Sequence, residues 1–244
     1  AGAFIGLGAI FATTVTTNTQ LPWGISTLIS GLSFSLGLVL VIVGGAELFT
    51  GNNLIVIAWA NKKVKLYAVL RNWAIVYAGN LVGSVFLALI MMVTLQYTYA
   101  NGGVGLNALN IANAKCGHTF LQAVALGIMC NILVCLAVWL CFSARSAVDK
   151  IASIIFPITA FVAGGFEHSI ANMYFITKAM LIKEFANQTF WTSINKAPAD
   201  FSNLTWNNFL IGNLLPVTIG NIIGGSVLVG LVYWFVYLKP NQNN

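Results

Sequence analysis

Apolar residues run along this chain in six long blocks, with polar residues collected in the short gaps between them. Measured against a membrane span of roughly 20 residues, the blocks fall at residues 1–17, 27–57, 66–97, 119–143, 151–182 and 209–238. The gaps hold Pro, Asn, Gly and nearly all the charge. This pattern predicts an all-α integral membrane protein with six transmembrane helices. The second and fifth blocks are interrupted from within. Gly44-Gly45-Ala46-Glu47-Leu48-Phe49-Thr50-Gly51-Asn52 and Gly164-Gly165-Phe166-Glu167-His168-Ser169-Ile170-Ala171-Asn172 are two copies of Gly-Gly-x-Glu-x-x-x-x-Asn. Glycine weakens helix, and an acid inside a span is costly and marks function. Matched copies therefore predict broken helices two and five, an arrangement that places a transport site near the bilayer midplane.

The copies divide the chain into repeats at about residues 1–97 and 119–238 of a single transmembrane channel domain covering 1–244. Three spans is an odd number, so the second repeat must be inverted relative to the first. Gly79-Asn80-Leu81-Val82-Gly83 in block three is echoed by Gly220-Asn221-Ile222-Ile223-Gly224 in block six. Small residues at such spacing let helix backbones approach closely. Ala1 begins abruptly in an apolar run with no initiator Met, so a cytoplasmic N-terminal segment is expected to be missing.

Composition agrees with lipid as the solvent. The chain is 59% hydrophobic and 7% charged, with net charge +6. The bases lie between spans rather than in one patch, which argues against nucleic acid. With the N-terminus placed in the cytoplasm, the inner side holds Lys62, Lys63, Lys65, Arg71, Arg145, Lys150 and Lys239. The outer side holds Lys115, Lys178, Lys183 and Lys196. Seven against four fits the positive-inside rule and puts both termini inside. Cys130, Cys135 and Cys141 share one apolar block and read as core, while Cys116 stands outside. No Cys/His spacing suggests a metal, and no cofactor is implied.

Each break should line a common watery path, because unwound backbone at membrane depth must be buried or wetted. Helix is expected over residues 27–47 and 151–167 before the breaks, with Thr50, Asn52 and Ser169 as caps for the second halves. The half-helix N-termini favour anions. Glu47 and Glu167, paired with Asn52 and Asn172, read as scaffold: a carboxylate beside a break can accept its loose N–H groups. His168 differs, because Leu48 stands at its place in the first copy. Its imidazole can meet an anion as a proton donor. Stripping a small ion of water costs of order 20 kcal/mol in the idealised limit. Neutralising a weak carboxylic acid of pKa near 4 at pH 7 costs only roughly 4 kcal/mol. Phe34 and Leu38, one turn apart, and Phe161, two helical turns before His168, are candidates for constrictions. His118, in a gap, reads as a surface residue. Water and ammonia channels fit less well: neither break holds Asn-Pro-Ala, and one pore histidine is available rather than two. A membrane-embedded enzyme lacks support, since there is no His-Glu-x-x-His string and no orienting acid for Ser169.

These residues resemble the formate/nitrite transporter family, most closely its formate channel branch. The likeness is carried by Glu47-Leu48-Phe49-Thr50, Gly79-Asn80-Leu81-Val82-Gly83, Gly165-Phe166-Glu167-His168-Ser169-Ile170-Ala171-Asn172-Met173 and Pro216-Val217-Thr218-Ile219-Gly220-Asn221-Ile222-Ile223-Gly224-Gly225. The resemblance implies an aquaporin-like fold and a homopentamer in the bacterial inner membrane, with one pore per protomer. It implies formate as substrate, with nitrite, acetate, lactate or hydrosulfide as related anions; a nitrite or hydrosulfide channel is the alternative. His168 takes the place of the central pore histidine. Leu48, Phe49 and Thr50 match the gating loop beside it, and Phe34, Leu38 and Phe161 match the constrictions. Lys115 and Asn131 match polar residues of the outer vestibule, and Asn221 matches an Asn near the pore.

Overall fold

A computed structural model describes residues 1–239, all helix and connecting turn; the last five residues, with the C-terminus, lie outside the described part. The helices are α1 (Gly2–Val15), α2 (Trp23–Gly44), α3 (Gly51–Ala60), α4 (Leu66–Val93), α5 (Gly103–Lys115), α6 (Phe120–Ser143), α7 (Ala147–Ala163), α8 (Ser169–Phe185), α9 (Gln188–Ser193) and α10 (Asn208–Leu238). Four of them, α2, α4, α6 and α10, are long and apolar enough to cross a membrane. The first block yields 14 residues of helix, and the fifth is divided between α7 and α8, 17 residues each.

Local chemistry sets the ends. Thr119 opens α6 by accepting from the Gln122 amide. Ser146 and Asp149 form a reciprocal capping box at the start of α7. The helices that lead into the duplicated strings stop earlier than residue spacing suggests. They end at Gly44 and Ala163, not at the glutamates, because Gly45 (φ 75°) and Gly165 (φ 68°) turn left-handed. In both places the next amide bonds five residues back: Ala46 N–H to Val41 O (2.9 Å) and Phe166 N–H to Phe161 O (3.0 Å). The second glycine of each pair is thus the stop signal, since it alone enters that conformation without strain.

Packing brings the pieces together in pairs: α1 on α2, α2 on α7, α6 on α10, and α4 on α8. The small residues of block six act as expected. A Cβ on Gly220 would sit 2.2 Å from the Val124 carbonyl oxygen, and one on Gly224 would sit 2.3 Å from that of Ile128. Their echoes in block three are less crowded: Gly83 approaches the Ala3 backbone, and Gly79 has open space. α10 is not a regular α-helix. Two stretches of wider π-turns, Asn208–Leu214 and Ile223–Leu231, flank a regular segment that carries Asn221. π-turns shift the register of everything beyond them and recur at functional sites.

Two further departures concern charge and gaps. The gap between blocks three and four contains a 13-residue helix, α5, whose last residue is Lys115. Lys178, expected on the outer surface, is buried on α8, with Nζ 3.6 Å from Met92 Sδ and 5.6 Å above the Tyr97 ring. Cys116, expected outside the core, is buried with the other three cysteines.

The contact at Gly220 is testable. Gly220→Ala forces apart two backbones and should cost about 1–3 kcal/mol, seen as a lower thermal unfolding midpoint in detergent. Gly24→Ala, where no atom lies within 4 Å, should leave the midpoint unchanged.

Candidate functional site

Each break exposes a carbonyl and an amide that have no helical partner, and one asparagine closes both. At the first, Asn80 of α4 accepts from Phe49 N–H (3.0 Å) and donates to Glu47 O (3.0 Å). At the second, Asn221 of α10 accepts from Ser169 N–H (2.9 Å) and donates to Glu167 O (3.0 Å). The geometry is the same in both: an amide side chain bridges the glutamate carbonyl and the N–H two residues later. The expectation that the glutamate side chains accept these N–H groups is therefore corrected. A side-chain amide carries both a donor and an acceptor, and a carboxylate carries only acceptors.

The glutamate side chains instead join a second duplicated set. Asn52 Nδ2 donates to Glu47 Oε2 and to Asn72 Oδ1 (2.9 Å). Asn172 Nδ2 donates to Glu167 Oε2 (2.6 Å) and to Asn213 Oδ1 (2.7 Å). Asn72 and Asn80 are 80 − 72 = 8 residues apart, as are Asn213 and Asn221, 221 − 213 = 8. That repeat is present in the sequence, but the glycines flanking Asn80 and Asn221 point to close packing, and spacing alone assigns no role to Asn72, Asn80 or Asn213.

The copies then diverge. Glu47 is exposed on this protomer, which corrects its reading as a buried acid; Glu167 is 2% exposed. Among the described residues, Glu167 draws both a lysine and a histidine. Its Oε1 lies 2.7 Å from Lys115 Nζ and 3.7 Å from His118 Nε2. His118 is thus a partner of the buried acid and not a free surface group.

His168 is the N-cap of α8, the role expected of Ser169. Its Nδ1 accepts from Ala171 N–H at 3.0 Å. A neutral ring whose Nδ1 accepts must carry its proton on Nε2. Nε2 lies 2.9 Å from Thr50 Oγ1, so the hydroxyl of the first break meets the imidazole of the second. Thr50 accordingly makes no side-chain cap to α3. Asn52, also expected as a cap, lies inside that helix. Asn131 sits deeper than the vestibule position expected for it. It is fully buried, and its Nδ2 donates to Thr50 O (3.3 Å), Asn53 Oδ1 (3.0 Å) and Asn221 O (2.6 Å). Asn131 therefore ties the first break to Asn221 of α10, which in turn bridges the second. Asn221, expected beside the pore, commits its amide to Glu167 O and Gly127 O (2.8 Å).

Two cavities approach the Thr50–His168 contact. One, of about 460 Å³, is lined by Phe34, Lys115, His118, Phe161, Glu167 and His168 among others. The other, of about 530 Å³, is lined by Val41, Leu48, Asn52, Asn61, Lys63 and neighbours. Phe34, Leu38, Leu48, Phe161 and His168 are each only 2–4% exposed; Phe34, Phe161 and His168 line the first cavity and Leu48 the second. Phe34 meets Phe161 edge-on with centroids 5.6 Å apart, and Phe161 stacks on His168 at 6.0 Å. The helix carrying Phe161 ends before His168, so the turn at Gly165, and not two helical turns, makes that contact. Phe49 points elsewhere, against Trp73 and Tyr77 of α4 at 6.1 and 4.9 Å.

The family profile "Formate/nitrite transporter" matches residues 1–235. The chain is 49% identical over 245 residues to the formate channel FocA of Escherichia coli K12, covering 100% of this chain and 86% of that protein. A solved structure titled "Pentameric formate channel with formate bound" superposes with TM-score 0.92 at 50% identity, covering 98% of this chain and 94% of the other. A second, titled "FNT family ion channel", gives TM-score 0.78 at 29% identity, covering 96% and 86%.

The asparagine bridges give a sharp expectation. Asn221→Leu or Asn80→Leu leaves one amide and one carbonyl unpaired at about 1–3 kcal/mol each. Either variant should unfold in detergent several degrees below the unaltered chain. An unchanged midpoint for both would show that the breaks do not depend on them.

Proposed function

The chain belongs to the formate/nitrite transporter family, and from that premise we propose that it conducts formate and related small monovalent anions across the bacterial inner membrane. The observation that carries the reading is the buried Thr50–His168 contact standing between two cavities. There a dehydrated anion meets an imidazole N–H and a hydroxyl beside the buried apolar side chains of Phe34, Leu38, Leu48 and Phe161. The relatives are channels and transporters, and an enzymatic role finds no support among them.

In this reading the chain has six spans in two inverted three-helix repeats with an aquaporin-like plan. Blocks two and five are the broken ones, and the domain extends over both repeats. The matching glycine stops and asparagine bridges support the duplication. The Lys115 cavity opens to the outside and the Lys63 cavity to the cytoplasm, with the N-terminus inside; the C-terminus lies outside the described residues. A homopentamer follows the pentameric relative. Val82, Phe86 and Val93 are exposed along α4 and need lipid or a neighbouring protomer to cover them.

The residues divide the work as follows. Phe34, Leu38, Phe161 and Leu48 form the dry constriction, and Phe49 with Leu48 and Thr50 forms the segment that must move to open it. Lys115 holds the outer mouth with Glu167. Glu47, Asn52, Asn131, Asn172 and Asn221 hold the breaks in shape. His168 donates from Nε2 toward the anion. Full proton transfer needs the imidazolium, whose second proton sits on Nδ1 and displaces the Ala171 N–H bond. In that step the N–H bond at Nε2 breaks, an O–H bond forms on the anion, and a neutral acid and a neutral imidazole result.

Reconstituted flux of labelled formate, nitrite, acetate, lactate and hydrosulfide against pH tests the reading and ranks the substrates. His168→Phe should abolish the pH-dependent component of formate flux. Unchanged pH dependence in that variant would sink the proton-relay role. Thr50→Val, which removes only the hydroxyl, should lower flux while leaving the fold intact.

A further inference from the structure

The outer mouth holds a charge balance that Lys115 alone does not explain. Its ammonium lies 2.7 Å from the Glu167 carboxylate. One positive and one negative charge at that separation cancel at any distance from which an anion is drawn. The charged and titratable groups lining this cavity are Lys115 of α5, His118 of the α5–α6 turn, and Glu167 and His168 of the second break. α2 and α7 contribute Trp23, Ser30, Phe34, Phe161 and Val162, none of them charged. Near the turn, Cys116 is a buried thiol. The ammonium of Lys183 is spent on the carbonyls of Phe201 and Leu204.

His118 is therefore the group whose state decides the sign of the mouth. Its side chain is 22% exposed, with Nε2 3.7 Å from the carboxylate oxygen that Lys115 already holds. It is reached by solvent, faces the cavity and lies beside a fixed negative charge. We infer that His118 sets the capture charge of this entrance. With the ring neutral, Lys115 and Glu167 cancel. With it protonated, the mouth carries one net positive charge and draws anions in. The inference rests on the anion-channel reading and adds a second histidine to it, one that acts on capture and not on passage.

Imidazole is the side chain whose charge ordinarily changes between pH 5 and 8. A carboxylic acid of pKa about 4 stays ionised over that range, so a change in capture reports the protein and not the ligand. A single added charge near the entrance changes local anion concentration about three- to tenfold.

The test uses the full chain in sealed vesicles, with pH set separately on the two sides and initial rates of labelled formate entry. The half-saturating concentration should fall about three- to tenfold as pH on the Lys115 side goes from 8 to 5.5, and should ignore pH on the other side. Raising the ionic strength should shrink the effect by screening. His118→Gln should hold the half-saturating concentration at its high value at every pH. His118→Arg should hold it at the low value, a rescue that a merely structural role does not produce. His118→Gln with the wild-type dependence overturns the inference. So does an unaltered chain whose half-saturation ignores pH on that side, which needs no variant to fold. Absence of formate flux at any pH overturns the channel reading itself, and this inference with it.

Discussion

Two stretches of backbone leave the helix inside an apolar block, and everything else depends on pairing the groups they strand. Lipid offers no hydrogen bonds, so an open amide or carbonyl there costs several kcal/mol. Asn80 and Asn221 solve the problem twice in the same way, each bridging a glutamate carbonyl and the amide two residues on. Asn131 then links the first break to the backbone of Asn221, the residue that bridges the second. With the breaks so fixed, Thr50 and His168 are free of scaffold duties on one side and meet across the centre. The imidazole is doubly determined: the helix cap on Nδ1 fixes where the other proton points.

The duplication also explains why the copies differ where they do. Both carry the glutamate–asparagine–asparagine set, but only Glu167 is buried and gains a lysine partner, with His118 beside it. A buried carboxylate demands them, because an unpaired charge in a low-dielectric site is far more costly than a paired one. Lys115 comes from the last turn of α5. The matched strings thus share their asparagine bridges, and the residues that differ between them give the two cavities different chemistry.

Much of the architecture was legible in the sequence because lipid allows few alternatives. Four of the apolar runs hold a helix long and apolar enough to cross a membrane, and helix stops at the glycine pair of both Gly-Gly-x-Glu strings. The exact end of helix was less legible: Gly45 and Gly165 stop it before the glutamates, through a left-handed turn that depends on backbone and not on side-chain pattern. Asn80 was seen and misread, since its neighbours Gly79 and Gly83 suggested close packing. Gly79 in fact faces open space while Asn80 carries the bonds. Lys178 looked like surface charge because lysine usually is; its long stem instead reaches inward to Met92 and Tyr97.

By itself the sequence determined the apolar character of the helices, the two matched strings and the lone histidine in one of them, because those are properties of composition and local spacing. Tertiary structure decided which asparagine serves which break, that His168 faces Thr50, and that His118 reaches Glu167. Those pairings join residues far apart in the chain: Thr50 and His168 by 168 − 50 = 118 positions, His118 and Glu167 by 167 − 118 = 49, and Glu47 and Asn80 by 80 − 47 = 33. No local pattern encodes a contact of that range. It follows only from how the spans pack once their backbone bonds are met.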